Sequence, residues 1–165
     1  MEGRYEIGYE HVRTLAIQCH ALDTDFDRLF NERTVEDKYE LTYRTFNRLF
    51  STSLLNLAIS IRVSLAKEPE YKEAGRVTPA VLLLEGQPPK AGEFSIKDIC
   101  DKLIHAGSIT KPIEPGTRGA ACELTGTQWG ETWKIGLGVE IFSNYILEWM
   151  DVLAWRYNGL DLDAP

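Results

Sequence analysis

The run Leu54-Leu55-Asn56-Leu57-Ala58-Ile59-Ser60-Ile61-Arg62 is apolar on nearly every side of the helix it would form. A helix without a wet face has to sit at the centre of a bundle or be shared between two chains. That demand selects a mainly α fold for these 165 residues, a length that surrounds one such element with a single domain spanning residues 1–165. The helix begins upstream, where Thr34 has the character of an N-cap and Glu36 and Asp37 place carboxylates in the first turn. Tyr43, Phe46, Phe50, Leu57, Ile61 and Leu65 carry its period, and Pro69 with the charges of residues 67–75 ends it.

Two further helices are predicted by period: residues 5–28, from Val12, Leu15, Leu22 and Phe26, and residues 139–155, from Val139, Phe142, Ile146, Trp149, Met150 and Leu153. Residues 75–92 contain Pro79, Pro88 and Pro89 and read as a loop-like insert. Within it Val81-Leu82-Leu83-Leu84 fits a short strand as well as a buried turn. Residues 120–124 and 132–137 flank a Gly/Thr-rich turn around Gly126 and Gly130, which predicts a β-hairpin before the last helix. Trp133 and Trp149 fall at core spacing, whereas Trp129 sits at the turn, where an exposed indole has the chemistry to stack on bases.

Composition narrows the function classes. A net charge of −7 opposes broad, non-specific affinity for nucleic acid, which depends on cations neutralising phosphates, while leaving room for a local basic cleft. Cys19, Cys100 and Cys122 are too widely spaced for a disulfide framework or a zinc knuckle. His11, Cys19 and His20 lack a fourth ligand and the paired spacing a metal needs. Gly136-Leu137-Gly138 is an isolated glycine pair and no Gly-Lys-Ser/Thr occurs, so neither a metal nor a nucleotide cofactor is expected. No apolar run is long enough to span a bilayer, and the first residues do not pair a basic with an apolar region. The expectation is a cytoplasmic protein without membrane association.

The segment with the most chemistry is Phe94-Ser95-Ile96-Lys97-Asp98-Ile99-Cys100-Asp101-Lys102-Leu103-Ile104-His105. Ser95 and Asp98 have capping-box spacing and open a short helix. Asp101 and His105 lie one turn apart on it, so the carboxylate can orient the imidazole. Arg62, embedded in an apolar helix, needs a carboxylate, and Asp101 or Asp98 is the natural one.

Taken together, the helix ending in Arg62 and the later Cys100-Asp101-Lys102-Leu103-Ile104-His105 resemble the HEPN family. That family shows a four- to five-helix bundle and a motif of arginine, polar residue, a few variable residues and histidine. Asp101 matches the polar position and His105 the histidine, while Cys100 stands at the arginine. The resemblance implies a metal-independent endoribonuclease of a defence or toxin–antitoxin system, with RNA as substrate and its site formed across a homodimer. Such cleavage needs a base for the 2′-hydroxyl, an acid for the leaving oxygen and a cation for the phosphorane. His105 is the acid/base candidate and Asp101 its orienting group. Cysteine supplies no cation, so Arg62 or Lys102 has to face the phosphate. The alternative is a non-catalytic HEPN-like interaction module that dimerises or binds a cognate partner protein, a reading favoured by the missing arginine and the charge of −7.

Overall fold

The computed structural model describes residues 9–30, 40–65, 77–84, 90–113 and 119–158. Helices α1 (Tyr9–Phe30), α2 (Glu40–Leu65), α3 (Ile96–Ile104) and α4 (Val139–Asn158) account for most of the regular structure. Strands β1 (Val77–Leu84), β2 (Lys90–Ser95), β3 (Ser108–Thr110), β4 (Cys122–Gln128) and β5 (Glu131–Leu137) form one antiparallel sheet in the order β2-β1-β5-β4-β3. The mainly helical expectation holds, and so does the hairpin ahead of the last helix. The proposed cap at Thr34 and the stop at Pro69 lie outside the described residues.

The sheet is larger than the sequence predicts. Residues 77–84 and 90–95 pair with each other, from Val77↔Ser95 to Leu82↔Lys90, so the strand alternative for residues 81–84 holds and most of the loop-like insert is sheet. β1 then joins the hairpin through five pairs with β5, from Ala80↔Leu137 to Leu84↔Trp133. The prolines misdirect the sequence reading for a specific reason. Pro79 cannot donate to a ladder, but it falls where β1 pairs with β2 alone, one residue before the β5 ladder starts.

The helices pack in series, α4 on α1, α1 on α2 and α2 on α3. Alternation in the strands directs one face inward: Cys122 and Leu124 of β4 and Trp133, Ile135 and Leu137 of β5 are buried in the same core as the helices. α2 contributes Phe46, Phe50, Leu54, Leu57, Ala58 and Ile61 to that core. It is not enclosed on all sides, because Leu49, Ile59 and Val63 face outward. At the other end of the core, Phe26, Phe30, Tyr43, Phe46 and Phe50 form an aromatic cluster with ring centroids 4.9–6.4 Å apart.

The short α3 starts on a full capping box. The Asp98 amide donates to Ser95 Oγ at 3.1 Å, and the Ser95 amide donates to Asp98 Oδ2 at 3.3 Å. A nine-residue helix is marginal without such help. Replacing Ser95 with alanine is therefore expected to lower global stability by about 1 kcal/mol. Urea denaturation checks this, and an unchanged midpoint would show that tertiary packing alone sets where α3 begins.

Candidate functional site

α3 divides its residues cleanly. Ile96, Ile99, Cys100 and Leu103, spaced as one helical stripe, are buried. Lys97, Asp98, Asp101, Lys102 and His105 consequently fall on the wet flank. Position 100 thus belongs to the core, where a charged side chain would have no water. The cation beside Asp101 comes from another helix: Arg62, in the last turn of α2, bonds Asp101 Oδ1. Lys97 Nζ holds the other oxygen, Oδ2, at 3.0 Å.

This pairing between Arg62 and Asp101 was legible in the sequence, but its setting differs. The pair is about one-third exposed, at 36% and 33%, so it lies at the surface and not in a buried cluster. Asp101 does not orient His105 through its carboxylate, both oxygens of which are engaged by cations. The two residues meet through the backbone, where the His105 amide donates to the Asp101 carbonyl at 3.1 Å and caps α3. The His105 side chain is exposed.

Arg62, Asp101, Lys102 and His105 nonetheless line one open cleft of about 860 Å³. The opposite wall is the β4–β5 hairpin, with Gln128, Trp129 and Trp133, and Phe94 lies at the entry to α3. Lys102 spans the gap: its Nζ sits 4.5 Å from the Trp133 ring centroid and donates to Gln128 Oε1 at 3.2 Å. The Trp133 ring in turn lies across Gly126, its cross-strand partner. A Cβ at Gly126 would overlap that ring and approach the His105 carbonyl oxygen to 3.0 Å. Gly126 therefore belongs to β4, not to the turn, and its missing side chain seats the indole on which Lys102 rests.

The turn itself is Trp129-Gly130, closed by the pair Gln128↔Glu131. Both residues have positive φ, 55° and 81°, the signature of a type I′ hairpin turn. That conformation suits Gly130 but strains tryptophan by about 1–2 kcal/mol. Trp129 is 95% exposed.

Electrostatically the cleft differs from the rest of the chain. Its lining balances Arg62 and Lys102 against Asp98 and Asp101, and Lys97 adds a further cation behind Asp101, so the cleft is not acidic although the protein carries a net charge of −7. Among the described residues no three His, Cys, Asp or Glu side chains gather as a metal-ligand set. His11 is exposed and Cys19 fully buried, so that sequence grouping does not converge on one surface. Sequence reasoning missed Gln128, and it named Phe94 and Gly126 without their part in the cleft. Gly126 had a signal, a glycine facing a tryptophan across a hairpin, readable only once the register is known.

The cysteines take no part in the cleft chemistry. Burial, with a smaller contribution from Asp23, pushes the Cys19 thiol up to about 12. Burial raises Cys100 further, with Asp101 adding to the effect and Arg62 opposing it, and it raises Cys122 likewise. At about pH 8, near the ordinary thiol pKa, a disulfide reagent is expected to leave all three unreacted in the native protein and to titrate all three in denaturant. One fast-reacting thiol in the native state would contradict this.

No family model, curated protein or solved structure matches this chain.

Proposed function

We propose that this chain is a HEPN-like protein whose cleft engages RNA and cleaves it without a metal. One observation carries the reading. Four residues selected by chemistry from two separate segments, Arg62 and the set Asp101, Lys102 and His105, line the same cleft, and the imidazole is exposed within it.

The roles follow from the contacts. His105 takes the proton of a 2′-hydroxyl, the 2′ oxygen attacks phosphorus, and the 5′ oxygen leaves with a proton from solvent. The product ends are a 2′,3′-cyclic phosphate and a 5′-hydroxyl. Arg62, held by Asp101, and Lys102, held by Trp133 and Gln128, face the phosphorane charge. Asp101 here positions a cation, which replaces its expected role on the imidazole. The outward Leu49, Ile59 and Val63 of α2 are compatible with a homodimer.

The test is cleavage of single-stranded and transfer RNA by the purified chain in the presence of a chelator, with the ends analysed for cyclic phosphate. Cleavage that disappears with His105→Ala supports the proposal. Intact RNA under all conditions removes it. The sharing of Asp101 by two cations favours a second reading, an interaction module that binds without cutting. Binding with intact RNA, or capture of a protein partner dependent on Arg62 and Lys102, selects that reading.

A further inference from the structure

Trp129 makes no sense as a structural residue. A type I′ turn is formed most readily by Asn-Gly or Gly-Gly, because both central residues need positive φ. This chain instead places its largest side chain at φ 55° and leaves it 95% exposed, so the strain is not offset by burial. The indole lines the same cleft as Arg62, Lys102 and His105, and its neighbour Gln128 is fixed by Lys102.

The hairpin also fixes the point from which the indole is presented. Seven cross-strand pairs join β4 to β5, and the two-residue turn leaves the backbone of Trp129 little freedom. A flat π-face on a rigid backbone, in one cleft with Arg62 and Lys102, matches a nucleobase with its phosphate alongside. In a duplex the base faces are already stacked on one another except at its ends, so along a strand an unpaired base is the one that meets the ring.

We infer that Trp129 is a stacking platform for an unpaired nucleobase, making single-stranded RNA the ligand of the cleft. This rests on the RNA reading proposed above and adds its substrate class and a specificity-determining residue. The base adjoining the bound phosphate stacks on the indole, and Arg62 and Lys102 take the phosphate. The Gln128 oxygen is occupied by Lys102, so its amide nitrogen is the end that donates to a ligand.

The test uses the full chain and a fluorescent 2′-O-methyl oligouridine of about twelve nucleotides, a length within the usual single-strand site sizes and resistant to cleavage. Trp129→Asn suits the turn better than tryptophan does, so its thermal midpoint should equal or exceed that of the parent. Its affinity should nonetheless fall by about 10-fold or more, from the loss of one stacked base. Trp129→Phe should recover most of the loss, and a duplex of the same length should bind more weakly than the single strand. Equal affinities for the parent chain and Trp129→Asn overturn the platform and leave RNA binding standing. Equal or tighter binding of the duplex also overturns it. No binding by the parent chain removes the platform and the RNA reading together. Trp129-dependent binding without cleavage of ordinary RNA retains the platform and removes only the catalytic reading.

Discussion

Replacing Lys111 with methionine lowers the stability of the folded chain by about 3–5 kcal/mol, a large part of what holds a domain of this size together. Lys111 and its partner Asp23 are buried, with side chains 1% and 8% exposed, and Lys111 Nζ bonds Asp23 Oδ1. The other carboxylate oxygen accepts from the Glu140 amide at 3.0 Å, in the first turn of α4, where the helix dipole favours a negative charge. The Lys111 backbone ties in α2: its amide donates to Asn47 Oδ1 at 2.9 Å, and its carbonyl accepts from the Tyr43 hydroxyl at 2.8 Å. One lysine thus connects α1, α2, the segment after β3 and, through Asp23, the start of α4. Removing the ammonium leaves a buried carboxylate with its charge uncompensated, and that accounts for most of the cost. The double variant Asp23→Leu with Lys111→Met should recover much of the loss, since no charge remains to be desolvated, though the Glu140 amide then lacks its acceptor. Urea denaturation of the three proteins measures both effects. A single variant within about 1 kcal/mol of the parent would place this pair in the range of ordinary surface salt bridges and overturn the account.

Lys111 also shows where sequence reasoning stops. It stands before Pro112 in a connector, a place where a lysine reads as solvated, and its partner lies 88 residues away on α1. Nothing local marks it. β1 was legible only as one of two alternatives for residues 81–84, and β2 not at all, for a related reason: a strand is stabilised by partners remote in sequence, whereas Pro79, which argues against one, is local. The capping box of Ser95 and Asp98 was legible because it closes within one helical turn. The apolar stripe of α4, from Val139 to Leu153, was legible because side-chain period fixes which residues share a face. The Arg62–Asp101 pair lies between these cases. Its need was visible from a cation in an apolar helix, but the capture of the second Asp101 oxygen by Lys97 required the structure.

His105→Ala is expected to reduce RNA cleavage by about 10²- to 10⁴-fold, the range for losing a general acid or base. Among the candidate residues it gives the cleanest test. Its imidazole is exposed and its cap on α3 is made through the backbone, so alanine removes the ring while keeping the helix end. A stability change within about 0.5 kcal/mol is expected for such a surface position. Asp101→Asn is less informative, because it releases Arg62 and Lys97 together and alters the charge of the whole cleft. Arg62→Gln and Lys102→Gln provide the complementary arm. Each removes one cation facing the phosphate, so cleavage should fall and RNA binding weaken together, whereas His105→Ala should spare binding. That split separates proton transfer from charge neutralisation. If His105→Ala cuts as well as the parent while Arg62→Gln does not, the cleft binds RNA but the imidazole is not its acid or base. The proton would then have to be taken by another group in the cleft or by solvent.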